Sequence, residues 1–152
     1  YEITYGDWSS DVCSSDLLDV QGGTVTVGTG HANNKIYFFK GGSAAGYSAT
    51  MTQSGGTVTA NGIQIGNDTG TFDTTTSLAT LQLSGGSLYA GAEGITIGSA
   101  ASAQPYAIKL QGGTLGADQN WSSSLDMKLG TTGGGPTIRA QNSASTSRKR
   151  WS

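Results

Sequence analysis

This chain predicts an all-β fold, a single-stranded parallel β-helix of about four coils with three short strands in each. The first observation behind that reading is a phrase that recurs four times: Gly22-Gly23-Thr24-Val25, Gly55-Gly56-Thr57-Val58, Gly85-Gly86-Ser87-Leu88 and Gly112-Gly113-Thr114-Leu115. Its spacings of 33, 30 and 27 residues mark a repeat with loops of variable length, the signature of a solenoid or array. The second observation is strict apolar/polar alternation on both sides of the phrase, which marks strands with one buried face. The third is that helical periodicity is nearly absent.

Counting from the first glycine of each phrase aligns the columns. Four residues before it stand Leu18, Met51, Leu81 and Ile108, and two before it Val20, Gln53, Leu83 and Leu110. Three after it stand Val25, Val58, Leu88 and Leu115, and five after it Val27, Ala60, Ala90 and Ala117. A third strand follows at Ile63-Gln64-Ile65 and Ile95-Thr96-Ile97, with less regular counterparts at Ile36-Tyr37-Phe38 and Leu125 to Gly130. Their inward residues complete the expected core ladder with Ile63, Ile65, Ile95 and Ile97. The glycine pairs (Gly22, Gly23, Gly55, Gly56, Gly85, Gly86, Gly112, Gly113) are the expected corners, where a chain must turn sharply between two half-buried strands. Insertions at Lys40 to Thr50, Asn67 to Thr80 and Ser99 to Tyr106 fall at one corner, where a solenoid places its exposed loops. An antiparallel β-sandwich also has closely spaced strands, but fixed columns across four units favour the solenoid.

The repeats resemble the autotransporter-associated β-strand repeat of long bacterial surface and secreted proteins. The resemblance rests on Leu81-Gln82-Leu83-Ser84-Gly85-Gly86-Ser87-Leu88 followed by Gly94-Ile95-Thr96-Ile97-Gly98, and on Gly112-Gly113-Thr114-Leu115 leading to Trp121-Ser122-Ser123-Ser124-Leu125. It covers about 18–142 and implies a right-handed β-helix displayed outside the cell, on an anchored or secreted chain. The neighbours it implies are further repeats of a longer protein, with a glycan or a host or cell surface as partner in adhesion. His31 to Lys40 departs from the pattern, and Gly133-Gly134-Gly135-Pro136-Thr137-Ile138 is a degenerate fifth phrase.

Residues 1–17 resemble the translation of a laboratory sequencing adapter, through Asp7-Trp8-Ser9-Ser10-Asp11-Val12-Cys13-Ser14-Ser15-Asp16-Leu17 in particular. The expected organisation is therefore an adapter-derived segment at 1–17, loosely attached or disordered, a repeat domain at 18–142 and an irregular tail at 143–152, in a fragment of a longer chain. Setting 1–17 aside removes Cys13, the only cysteine, and leaves eight basic against six acidic residues. Three of those bases sit together at Arg148-Lys149-Arg150, so the repeats themselves carry no basic face for nucleic acid. No apolar run is long enough to be a transmembrane helix.

No residue set converges on a reaction. Asp68, Asp73, Glu93, Asp118 and Asp126 are the acids from which a polysaccharide hydrolase or lyase site would be built, and such a site needs carboxylates held across one bond. They occupy different repeat positions and read as solvated turns. His31 is alone, whereas a metal site wants several ligands. Thr24-Val25-Thr26 and Thr57-Val58-Thr59 invite an ice-binding reading, but Tyr89 and Gly116 interrupt the second threonine column. Tyr37, Phe38, Phe39, Tyr47, Tyr89 and Tyr106 could form an aromatic stripe for sugar contact, with Tyr89 the best exposed. The expectation is a structural module with no catalytic role, no cofactor and no metal; a carbohydrate-binding or carbohydrate-active β-helix is the alternative.

Overall fold

The computed structural model describes residues 15–28, 34–130 and 135–139, which form a β-solenoid of parallel strands. In chain order the strands are β1 (Ser15–Val20), β2 (Thr24–Val27), β3 (Ile36–Phe38), β4 (Ser48–Gln53), β5 (Thr57–Ile65) and β6 (Leu78–Leu83). They continue as β7 (Ser87–Ile97), β8 (Tyr106–Leu110), β9 (Thr114–Ala117), β10 (Met127–Leu129) and β11 (Thr137–Ile138). The helical content among the described residues is one 3-10 turn, Ser99–Ala101.

Two parallel sheets face each other across the core. One stacks β1-β4-β6-β8-β10 and the other β11-β9-β7-β5-β2, with β3 also paired to β5. The register joins Leu18 to Met51, Met51 to Leu81 and Leu81 to Ile108, and likewise Val25 to Val58, Leu88 and Leu115. These are the columns that counting from the glycine phrase aligns. Burial follows them: Met51, Val58, Ile63, Leu83 and Leu88 are fully buried, and Val20, Ile65, Leu81, Ile95, Ile108, Leu110 and Leu115 nearly so. Leu18, Val25 and Ile97 are half-buried against the same cluster. Gln53 is the polar member of its column, and its Nε2 donates to the corner carbonyls of Gly55 and Gly56 and to Ser87 O of the next coil.

At the corners the two glycines meet different demands. The second glycine of each phrase is left-handed, with φ of 72, 65, 70 and 71° at Gly23, Gly56, Gly86 and Gly113. The first faces the preceding coil: a Cβ on Gly55, Gly85 or Gly112 would lie 2.1, 2.2 or 2.5 Å from the carbonyl oxygen of Gln21, Ser54 or Ser84. At Gly22 nothing lies within 4 Å.

Three features depart from the sequence expectation. The second and third strands of two coils run together as β5 and β7, which pair across a register shift between Ala60 and Gly62. There Asn61 alone stands opposite Gly91, Ala92 and Glu93, a bulge that absorbs the extra residues without ending the ladder. Leu125 to Gly130 is not the third strand of the fourth coil. Met127, Lys128 and Leu129 instead pair with Ile108, Lys109 and Leu110 as the first strand of a fifth coil. The reason is packing: Trp121 and Ser122 lie against Gly94, so this segment occupies the place of a third strand, and Met127 and Leu129 extend the apolar columns of the first sheet. The fifth phrase resumes with Thr137 opposite Thr114 and Ile138 opposite Leu115. Finally, the described ladder begins at Ser15, with Ser15, Asp16 and Leu17 opposite Ser48, Ala49 and Thr50, three residues ahead of the boundary placed at 18. Residues 1–14, His31 and 143–152 lie outside the described residues.

Candidate functional site

The loops that follow the third strands do not stand apart as independent tips. Ser43, Ser77 and Gln104, one from each of three successive loops, are all buried. Ser43 Oγ donates to Gln104 Oε1 (2.7 Å), Gln104 Nε2 donates to Ser77 O (2.8 Å), and Ser77 Oγ donates to Ala44 O. Ser43 Oγ also accepts from the Asp73 amide at 2.8 Å. Buried polar atoms satisfied in this way tie loop to loop at fixed spacing. The loop tips, such as Asp68-Thr69-Gly70 and Ala44-Ala45-Gly46, are exposed, as are flanking stretches such as Thr74-Thr75-Thr76. The result is a continuous wall along one corner of the coil, with its feet inside the protein.

Of the acids that a hydrolase or lyase would use, Asp73 and Asp68 hold backbone amides with their carboxylates, and Glu93 holds an ammonium. Asp73 accepts from Thr75 Oγ1 (2.8 Å), from the amide and hydroxyl of Thr76 (2.8 and 2.7 Å) and from the Ser77 amide (2.6 Å). Those donors favour the carboxylate, with the Thr76 hydroxyl foremost, and hold Asp73 well below the usual carboxylate range. Asp68 Oδ1 accepts from the Ser99 amide at 2.9 Å, one coil on. Glu93 pairs with Lys35 at 2.9 Å, and Lys35 Nζ also donates to Gln64 Oε1 at 2.8 Å, so one ammonium links three coils. The Asp118 amide donates to Ala90 O, and the Asp126 amide to Tyr106 Oη. No group of three or more His, Cys, Asp or Glu side chains converges among the described residues.

The outer faces carry three columns. On the second sheet, Thr24, Thr57, Ser87, Thr114 and Thr137 are in register, a hydroxyl ladder one coil longer than the four phrases suggest. Beside it run Thr26, Thr59, Tyr89 and Gly116. The Tyr89 ring lies over Gly116, where a Cβ would sit 2.5 Å from a ring carbon, and it covers a backbone that has no side chain of its own. On the first sheet, Asp19, Thr52, Gln82, Lys109 and Lys128 form a column whose charge changes sign along the axis. Asp19 accepts from Thr52 Oγ1 and Gln21 Nε2, both at 2.6 Å, which holds its carboxyl below the usual range.

The aromatics that could have formed a stripe are distributed rather than assembled. Phe38 and Phe39 are buried in the core, Tyr47 and Tyr106 pack against it, and Tyr37 lies opposite Gln64 with the Lys40 ammonium 5.4 Å from its ring centre. Sequence reasoning missed the polar loop core of Ser43, Ser77 and Gln104, because such residues carry no signal until stacking brings them together. Cys13 and Arg148-Lys149-Arg150 lie outside the described residues. No helix among the described residues is long and apolar enough to cross a membrane. Comparison with family models, with curated proteins and with solved structures found no match to the chain.

Proposed function

We propose that this chain is a structural stalk or passenger-type module of a bacterial cell-surface or secreted repeat protein. It acts in adhesion, outside the cell and without catalysis. The observation that carries the reading is the loop wall: the exposed tips ride on a polar core that is itself buried and bonded from coil to coil. Such a scaffold presents a surface at fixed spacing, and its length grows by adding coils. The repeat phrases and the Trp121-Ser122-Ser123-Ser124 run support the surface-protein reading through their resemblance to autotransporter-associated repeats. Neighbouring repeats and a glycan or a host surface are the partners this reading proposes.

The test is a bead assay. Beads coated with the chain should adhere to cell or glycan-coated surfaces. Replacing the tip Asp68-Thr69-Gly70 by three serines should reduce adhesion while the circular dichroism spectrum is unchanged. Adhesion no greater than that of uncoated beads contradicts the proposal.

Tyr89, half-buried in an outward hydroxyl-rich face, favours one second reading, a carbohydrate-binding or carbohydrate-active β-helix. A polysaccharide panel separates the two. Turnover that is lost in Asp68→Asn or Asp118→Asn replaces the stalk reading with an enzymatic one.

A further inference from the structure

We propose that Lys35 and Gln64 become joined by an isopeptide bond, formed by the folded chain itself with Glu93 carrying the protons. Three successive coils bring these side chains together. Lys35 directly precedes Ile36, which pairs with Ile63. Gln64 stands between Ile63 and Ile65, whose side chains fill the core, so its own side chain points outward. Glu93 comes from the bulge opposite Asn61, the kind of irregularity that re-aims a side chain. Gly62 leaves room for it, since a Cβ there would lie 2.7 Å from Glu93 Cβ.

Lys35 Nζ lies 2.8 Å from Gln64 Oε1 and 2.9 Å from Glu93 Oε2. A carbonyl bond is about 1.2 Å long, so this nitrogen is within about 4 Å of the amide carbon. That is close to the separation of about 3–3.5 Å from which attack begins. The terminal torsion of a glutamine is broad, and turning it presents the amide face to Nζ. An ordinary ion pair needs only the lysine and the glutamate. Here the ammonium also sits on a buried primary amide, with an acid at hand for proton transfer. Gln64 is 4% exposed and the Lys35 side chain 13%, which shields the amide from water as a competing nucleophile. Glu93, at 34%, opens to solvent.

The reaction is a transamidation. Glu93 takes a proton from the Lys35 ammonium, and the neutral amine adds to Gln64 Cδ, which places the negative charge on Oε1. Glu93 then returns the proton to Nε2. The Cδ–Nε2 bond breaks as the carbonyl re-forms, and the departing ammonia takes the remaining extra proton from the lysine nitrogen. Ammonium leaves, Glu93 ends as a carboxylate, and nothing is oxidised or reduced. Each chain reacts once, so no substrate is turned over. The bond ties the first coil covalently to the second across 29 residues of sequence, and a pull along the axis cannot part them there. This goes beyond the stalk reading and is read separately from it, because the bond forms or fails whatever the bead assay shows.

The experiment is mass spectrometry of the full folded chain beside Lys35→Arg and Glu93→Gln, each checked for an unchanged circular dichroism spectrum. The parent should be one ammonia lighter than its sequence, and both variants should keep their full sequence mass. A succinimide at Asn61-Gly62 loses the same mass, so a tryptic digest assigns the site. With the bond present, trypsin cannot cut after Lys35 and releases 1–40 joined to 41–109. The parent digest decides the matter even where a variant fails to fold. A parent at its full sequence mass overturns the proposal, as does ammonia loss that maps elsewhere or persists in Lys35→Arg. A bond that forms as fast in Glu93→Gln overturns the part given to Glu93.

Discussion

Four alanine substitutions at two corners separate the demands on the glycine pair. Gly22 has ordinary backbone geometry and open space, and Gly23 has open space but a φ of 72°. Gly85 has ordinary geometry, but a Cβ would lie 2.2 Å from Ser54 O; Gly86 combines a φ of 70° with carbonyl oxygens of Gly55 and Gly56 at 2.5 Å. Alanine at Gly22 should stabilise by about 0.4–1 kcal/mol, since it restricts only the unfolded chain. At Gly23 the left-handed conformation should cost about 1–2 kcal/mol. At Gly85 the obstacle is backbone, which cannot rotate away, and the overpacking cost should be about 3 kcal/mol. Gly86 combines both penalties and should lose about 4–5 kcal/mol. Urea unfolding followed by circular dichroism reads the series as shifts in midpoint at constant slope. A Gly22→Ala cost as large as that of Gly85→Ala would contradict this ordering, because the two differ chiefly in whether a preceding coil lies against them.

Three further outcomes follow from the same geometry. Leu88→Ala, in a fully buried column, should cost about 2–5 kcal/mol, while Leu129→Ala, 62% exposed, should stay within about 0.5 kcal/mol; thermal melts compare them. Asp73 has a depressed folded pKa, so its contribution is full above the ordinary carboxylate value of 3.8 and is lost as pH falls below it. Asp73→Ala should therefore flatten the acid limb of the stability–pH curve and speed exchange of the Ser77 amide at neutral pH; an unchanged limb contradicts the assignment. Tyr89→Ala should cost about 1 kcal/mol by uncovering Gly116, and Tyr89→Phe should keep most of that stability, as judged by urea midpoints.

Much of this fold was legible because burial selects residues one column at a time. Leu18, Met51, Leu81 and Ile108 share a face whatever the intervening loops do, and a period-two pattern survives changes in loop length. The corners were legible because a left-handed turn beneath a close neighbour leaves few residues besides glycine. Met127 to Leu129 was misplaced because the corner that follows is longer: Leu129 and Thr137 lie eight residues apart, where Leu110 and Thr114 lie four apart. The fused strands β5 and β7 were hidden by Asn61, Gly91 and Gly94, which read as breaks yet pass through a bulge. The Ser43–Ser77–Gln104 core was illegible in principle, since no hydropathy pattern marks hydrogen bonds between distant polar loops. The outer charge gradient from Asp19 to Lys128 likewise exists only once the register is known.

The central claim is that successive coils rise along one axis in equal steps, and spin-label distances measure that rise directly. With Cys13 replaced by serine, labels at Asp19 and Lys128 lie on the same column, four coils apart. At about 4.8 Å per step their backbones are about 19 Å apart, and Asp19 to Gln82 is about half that. A single narrow distribution near the longer value is expected, allowing for the label arms, with the Asp19–Gln82 pair shorter in proportion. A broad distribution, or an Asp19–Lys128 distance no longer than Asp19–Gln82, would contradict it.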